Sequence, residues 1–141
     1  MRPPRVSTAS SGVHPKPVMV NLRVLVVDDD AGMRSMMRTA LEIQGAQVTD
    51  ADGYESAIAL EGPFDLALVD LNLGDGRGDE LIGALRADER VQRAVLLSGS
   101  ADVELGATGD PDAVLRKPFE LEDLHQVIER VVGNGSLEAE G

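Results

Sequence analysis

The chain of 141 residues contains no cysteine and no tryptophan. The lack of cysteine excludes disulfides and thiol chemistry, and it leaves the redox compartment undefined. Only three residues are aromatic, Tyr54, Phe64 and Phe119, so the hydrophobic core has to be built from aliphatic side chains. The length corresponds to one domain with a single core.

Positive charge is also scarce. Thirteen lysines and arginines stand against 25 aspartates and glutamates, which gives a formal net charge of −12. Nucleic acids and anionic membranes are bound mainly through Lys and Arg, so this balance argues against both kinds of partner. No apolar run approaches the roughly 20 residues of a membrane-spanning helix. The N-terminus lacks the apolar stretch of a secretory signal, and we expect a cytoplasmic protein.

Both ends of the chain lack hydrophobic periodicity. Residues 1–21 combine four prolines with a Ser/Thr-rich middle, which is typical of a disordered tail, and Met19 offers an alternative translation start. Residues 134–141 are predicted to form a second, polar disordered tail. The folded domain is therefore predicted over residues 22–133.

Between these tails, short apolar runs alternate with helical patterns. Runs of this kind predict buried parallel strands that are joined by right-handed helical crossovers. We therefore predict an α/β fold with a doubly wound, five-stranded parallel sheet flanked by helices. The second strand is the most polar and is placed near the edge, whereas the third is the most apolar and is placed centrally. The predicted strands are 22–27, 47–51, 64–69, 94–97 and 113–116, and the predicted helices are 33–44, 54–60, 79–87 and 121–132.

Polar residues follow four of these strands. Asp28 and Asp29 follow the first strand and Asp70 follows the third, while Ser98 and Lys117 follow the fourth and the fifth. Parallel strands of an open sheet end at one edge, and ligands bind outside that edge. The sequence therefore predicts that three acids, a hydroxyl and an ammonium converge on a metal-assisted phosphate site.

The acidic residues at this edge predict a Mg²⁺ site. If their strands are neighbours, the carboxylates of Asp28, Asp29 and Asp70 lie close together, and a bound cation relieves the repulsion between them. Mg²⁺ prefers hard oxygen ligands and usually takes one or two protein carboxylates together with phosphate oxygens. Capping of the following helix accounts for Asp30 but leaves Asp70 unexplained.

Asp70 is the candidate nucleophile, because a carboxylate can attack phosphorus to form an acyl phosphate. Lys117 is the candidate cation for the phosphoryl oxygens, and Ser98 offers a hydroxyl donor to another of them. Neither a Lys-Pro nor a Ser-Gly pair is specific by itself. The order of all four pieces and their common setting after apolar strands carry the prediction.

These motifs resemble the receiver domain of bacterial two-component response regulators, in particular its single-domain, chemotaxis-regulator-like members. Val-Val-Asp28-Asp29 is similar to the acidic pair of that family, and Leu-Val-Asp70-Leu-Asn72 is similar to its phosphoacceptor strand. Lys117 begins a Lys-Pro-Phe sequence that is similar to the family's signature. The resemblance covers most of the predicted domain and implies the flavodoxin-like strand order 2-1-3-4-5.

The resemblance also implies roles for these residues. Asp70 would accept a phosphoryl group from the phosphohistidine of a sensor histidine kinase or a histidine phosphotransfer protein. The implied cofactor is Mg²⁺, with the backbone carbonyl of Asn72 as a ligand beside the carboxylates. Ser98 would then move toward the phosphate and shift a two-state equilibrium. Such a domain is not an enzyme beyond its own phosphorylation and dephosphorylation, and it signals through a downstream protein partner.

Several features depart from the family pattern, among them Gly74, which stands where a proline is common. Val114 stands at a position where an aromatic switch residue is common. The segment 99–113 is a few residues shorter than usual and contains Gly106, Gly109 and Pro111. We therefore expect the fourth helix of the family fold, which lies between the fourth and fifth strands, to be short or irregular.

Two other functions fit parts of the pattern. A degenerate receiver that binds a partner without phosphorylation fits Val114 and the shortened segment. A phosphohydrolase of the haloacid dehalogenase type would use Asp28 as its nucleophile, because Asp28-x-Asp30 follows an apolar strand. The hydrolase leaves Asp70 without a role, and no acidic pair follows Lys117, so the phosphoacceptor is the favoured interpretation.

Overall fold

The computed structural model describes residues 19–99 and 108–133 of the chain. Within these residues, the strands and helices follow one another in the predicted order, and the last helix continues into a π-helical turn. The strands are β1 (Arg23–Val27), β2 (Gln47–Ala51), β3 (Phe64–Asp70), β4 (Val91–Ser98) and β5 (Ala113–Arg116). The helices are α1 (Ala31–Ile43), α2 (Tyr54–Ile58), α3 (Gly78–Ala87) and α4 (Leu121–Ile128), followed by the π-helical turn Glu129–Gly133.

The five strands form one parallel sheet in the order β2-β1-β3-β4-β5. This order confirms the predicted fold class and the flavodoxin-like topology. β1 lies inside the sheet, and all of its residues after Arg23 are buried. β2 lies at the edge as predicted, and its central residues Thr49 and Asp50 are only partly buried.

Two aliphatic cores lie on the two faces of the sheet. Successive side chains of a strand point to opposite faces. Leu66 and Leu68 of β3 therefore pack in the core that includes α1 and α4, whereas Ala67 and Val69 pack in the core that includes α2 and α3. Dense packing on both faces holds the carboxyl ends of the strands in fixed relative positions.

Two of the predicted boundaries move by three residues or more. β4 begins at Val91, three residues before the predicted start at residue 94, because Arg93 continues the strand ladder opposite Leu66 although its side chain is polar. Pairing of the backbone does not require an apolar side chain at every position. The last α-helix ends at Ile128, where the chain widens into the π-helical turn.

The ends of the domain differ in part from the prediction. Met19 is buried in the core with α1 and α4, so it belongs to the packed domain rather than to a tail. Residues 1–18 and 134–141, which make up most of the two predicted tails, lie outside the described residues. The predicted short or irregular fourth helix falls largely on residues 100–107, which also lie outside them, and residues 108–112 form no helix.

Asp79 attaches the segment before β5 to the start of α3. Its side chain is 1% exposed, and its two carboxylate oxygens accept hydrogen bonds from Nε and a terminal nitrogen of Arg77, each at 3.1 Å. The backbone N–H groups of Thr108 (3.1 Å) and Glu80 (2.9 Å) donate to the same carboxylate. Burial raises the pKa of Asp79, but these donors outweigh it, and the pKa lies below its ordinary value.

We expect Asp79→Ala to lower the free energy of unfolding by about 3 kcal/mol, because it removes the buried carboxylate that accepts two backbone N–H groups and pairs with the Arg77 guanidinium. Urea denaturation followed by circular dichroism measures this loss. Asp79→Asn keeps an acceptor oxygen and should cost less. Because the native pKa is lowered, the stabilisation is complete above the ordinary pKa of Asp and is lost as the pH falls through the native pKa. A loss that is independent of pH across this range would contradict the charge-based explanation.

Candidate functional site

The strand register brings the ends of four strands into one row. Val27 of β1 pairs with Val69 of β3, so the next residues, Asp28 and Asp70, lie side by side at the ends of these neighbouring strands. On the other side of β3, Asp70 pairs with Leu97, the residue before Ser98. The polar residues at the ends of β1, β3 and β4 therefore meet at one edge, as expected for parallel strands that end together.

Lys117 completes this row beyond β4. Its backbone N–H donates to the carbonyl oxygen of Ser98 at 2.9 Å, which extends the pairing of β4 and β5 by one residue. Its Nζ lies 3.3 Å from Oδ2 of Asp28 and 3.4 Å from Oδ1 of Asp70. The ammonium therefore bridges carboxylates from two neighbouring strands.

Three carboxylates form a compact group beside this ammonium. Asp28, Asp29 and Asp70 each place one oxygen within 4.8 Å of the others. Asp28 and Asp70 are buried, with 0% and 7% of their surface exposed, whereas Asp29 is exposed. A group of hard oxygen ligands that is open to solvent on one side fits Mg²⁺, which retains several of its waters.

The three consecutive aspartates at the end of β1 make different contacts. Oδ1 of Asp28 accepts the N–H of Asp30 at 2.9 Å, which orients Asp28 within the group of carboxylates. Oδ1 of Asp30 accepts the N–H groups of Gly32 (2.9 Å) and Met33 (3.2 Å) and so caps α1. Asp30 is therefore engaged by the helix, and it is Asp28 and Asp29 that are available to a metal ion.

The electrostatics of Asp70 reflect this crowding. Burial raises the pKa of Asp70, and the nearby carboxylate of Asp28 raises it further. The ammonium of Lys117 and the backbone N–H of Asn72 act in the opposite direction without cancelling the increase. An additional cation at this place would favour the ionised carboxylate, which is the form that can act as a nucleophile.

The structure also places the remaining residues of the prediction. Ser98 ends β4 and is 1% exposed. Asn72 is exposed two residues after Asp70, and its carbonyl oxygen remains a predicted ligand. Val114, the residue at the aromatic position of the family, is partly buried and packs against the core that includes α2 and α3.

Sequence reasoning missed the anchoring of the loop between β3 and α3. Its glycine-rich composition predicts a flexible loop, yet the structure joins it to neighbouring elements through Asp75 and through the Arg77–Asp79 pair. The partners of Asp75 are about 20 residues away in sequence. A local pattern cannot indicate contacts of that range.

A family model described as the response regulator receiver domain matches residues 24–129. The match extends from β1 through α4 and includes every residue of the candidate site. In the described part of the chain, every helix is too short or too polar to cross a membrane.

Two relatives and one solved structure illustrate the similarity. The response regulator receiver protein CpdR of Brucella abortus (strain 2308) is 36% identical over 115 residues, which cover 78% of this chain and 96% of CpdR. The virulence sensor protein BvgS of Bordetella pertussis is 32% identical over 148 residues, which cover 96% of this chain but only 12% of BvgS. A CheY-like response regulator receiver domain protein from Methanospirillum hungatei JF-1 has a TM-score of 0.71 at 29% identity, covering 85% of this chain and 98% of that structure.

Proposed function

The chain belongs to the response regulator receiver domain family, and on that basis we propose that it is a phosphoacceptor in a two-component phosphorelay, with Asp70 as the acceptor. The observation that carries the proposal is the bridging ammonium. Lys117 Nζ lies within 3.4 Å of both Asp70 and Asp28, the two buried members of a cluster of three carboxylates. A nucleophilic carboxylate beside a fixed cation and a metal site is what phosphoryl transfer requires.

In the proposed reaction, a carboxylate oxygen of Asp70 attacks the phosphorus of a phosphohistidine. A new O–P bond forms as the N–P bond breaks, and the imidazole leaves with the electron pair and takes up a proton. Lys117 would neutralise one phosphoryl oxygen, and the hydroxyl of Ser98 would donate a hydrogen bond to another.

The cofactor in this proposal is Mg²⁺, held by Asp28, Asp29, Asp70 and the carbonyl oxygen of Asn72. When bound, it supplies positive charge that lowers the cost of bringing an anionic phosphoryl group to anionic carboxylates. The fit rests on the donor set, because three hard oxygens lie within 4.8 Å of one another and burial together with Asp28 raises the pKa of Asp70.

The proposed partners follow from this chemistry and from the charge of the chain. The phosphoryl donor is a sensor histidine kinase or a histidine phosphotransfer protein, and the output is binding to a downstream protein. A net charge of −12 disfavours nucleic acid and anionic membrane as partners, and we propose a cytoplasmic location. Catalysis by the domain is limited to phosphorylation and dephosphorylation of its own Asp70.

Incubation with acetyl phosphate tests the proposal, because this small acyl phosphate can replace the protein donor. We expect one phosphoryl adduct in the intact mass when Mg²⁺ is present and none when the metal ion is chelated. Reductive trapping of the acyl phosphate followed by peptide mapping should locate it at Asp70. An adduct at Asp28 would indicate the hydrolase, and no adduct under either condition would favour the phosphorylation-independent binding module.

A further inference from the structure

The loop between β3 and α3 supplies the helix cap that α2 lacks. The residue before α2 is Gly53, which has no side chain to accept a hydrogen bond from the first turn. Asp75 takes this role from the loop, because its Oδ1 accepts the N–H of Tyr54 at 2.7 Å and its Oδ2 accepts the N–H of Glu55 at 3.1 Å. These two donors hold the pKa of Asp75 below its ordinary value, so the cap is ionised at neutral pH.

The loop and the first turn of α2 fit closely together. A Cβ atom on Gly53 would lie 2.9 Å from Oδ1 of Asp75, and a Cβ atom on Gly76 would lie 2.8 Å from Cδ2 of Tyr54. Both distances are shorter than real Cβ contacts, so a side chain at either position would force Asp75 or Tyr54 to shift. The loop is therefore seated directly on α2.

The same loop carries Asn72, whose carbonyl oxygen is the proposed backbone ligand of Mg²⁺. A backbone bridge between Asn72 and Arg77 and a hydrogen bond of 3.1 Å from Leu73 N–H to the Gly76 carbonyl oxygen close the loop on itself. Displacement of its tip would therefore displace Asn72. Gly74, at φ 82°, adds no stiffness of its own, so the tip is held by these internal contacts and by the contacts of Asp75 and Gly76 with α2.

We propose that Asp75 is a positioning residue for the Mg²⁺ site, which it supports by fixing the loop of Asn72 on α2. The proposal rests on the proposed function, because it assumes that Mg²⁺ binds at Asp28, Asp29 and Asp70. Linkage then makes the coupling reciprocal: Mg²⁺ orders the first turn of α2, and any partner that orders this turn raises the affinity for Mg²⁺.

Tyr54 makes this coupling measurable. It is the one tyrosine of a chain without tryptophan, so it dominates the intrinsic fluorescence. Its N–H donates to Asp75 and its ring lies against Gly76, so the fluorophore reports directly on the contact between loop and helix. We expect Mg²⁺ to change the fluorescence of Tyr54 in the wild-type chain.

The test compares Mg²⁺ binding by calorimetry with Tyr54 fluorescence in the full chain. Loss of a residue that supports a metal ligand typically costs 10–100-fold in metal affinity, and we expect Asp75→Ala to weaken Mg²⁺ binding by about tenfold. Its Tyr54 signal should no longer respond to Mg²⁺. Asp75→Asn, which keeps one acceptor oxygen, should weaken binding less, and it serves as the test variant if Asp75→Ala does not fold.

Asp123→Ala is the matched control. Asp123 accepts the N–H of Glu120 at 2.9 Å at the start of α4, so its loss also removes a hydrogen bond from a helix start, but on a helix packed against the other face of the sheet. Mg²⁺ affinity should be unchanged in this variant. If Asp75→Ala binds Mg²⁺ with wild-type affinity, Asp75 is only a helix cap. This inference is then wrong, while the proposed function still stands. Failure of the wild-type chain to bind Mg²⁺ would overturn the proposed function as well.

Discussion

We expect an Asp70→Asn variant to take up no phosphoryl group from acetyl phosphate in the presence of Mg²⁺. The amide oxygen of Asn is a poor nucleophile, and the other two carboxylates of the site are not equivalent to Asp70. Oδ1 of Asp28 already accepts the N–H of Asp30. In the described part of the chain, the ion pairs of Lys117 are with Asp28 and Asp70 and not with Asp29. The loss of adduct should exceed about 100-fold, since covalent catalysis is removed with its nucleophile. Intact mass after incubation measures it.

The Asp70→Asn variant should remain folded, so that its loss of the phosphoryl adduct reports on the reaction and not on unfolding. Burial and the charge of Asp28 raise the pKa of Asp70, so the ionised carboxylate is disfavoured there and a neutral amide removes that penalty. The midpoint of thermal unfolding should therefore equal or exceed that of the wild-type chain. Asp110→Asn is a suitable control, because Asp110 is exposed and its positive φ of 53° suits Asn equally well. A wild-type adduct level in Asp70→Asn would show that another residue is the acceptor.

The sheet and the convergence of the site could be predicted because both depend on local patterns. The apolar residues of β1 and β3 are buried on both faces of the sheet, so unbroken aliphatic runs indicated interior parallel strands. The polar residue after each run then had to lie at the carboxyl edge. Two predicted boundaries depended instead on side-chain patterns at the ends of a strand and a helix, and both were wrong. β4 begins at Val91 rather than at residue 94, and the last α-helix ends at Ile128 rather than at residue 132.

The contacts that hold the β3–α3 loop could not be predicted from the sequence. Asp75 reaches α2 across about 20 residues, and Asp79 reaches Thr108 across 29. Both acids lie in or beside a run of glycines, a composition that indicates a turn but not what the turn packs against. A buried carboxylate such as Asp79 has the same local sequence signature as an exposed one, because only tertiary structure brings its donors to it.

Replacement of Lys117 by Met should change three measured quantities in a characteristic combination. Without metal, the free energy of unfolding should fall by about 2 kcal/mol, because buried Asp28 loses the ammonium at 3.3 Å. The rate of phosphorylation by acetyl phosphate should fall by about 100-fold, the cost of removing one donor to a developing anion. The affinity for Mg²⁺ should nevertheless rise by about tenfold, because a competing positive charge has been removed from beside Asp28 and Asp70.

The opposite signs of these effects separate a role in the reaction from a role in folding. Calorimetry gives the Mg²⁺ affinity, and the time course of intact mass at saturating Mg²⁺ gives the rate after folding has been restored by the metal ion. Arg130→Met changes the net charge equally at an exposed position and should leave both quantities unchanged. A wild-type rate in Lys117→Met at saturating Mg²⁺ would restrict Lys117 to balancing the carboxylates of the metal-free site. A parallel loss of Mg²⁺ affinity and rate would instead indicate that the ammonium holds Asp28 and Asp70 in place for the metal ion.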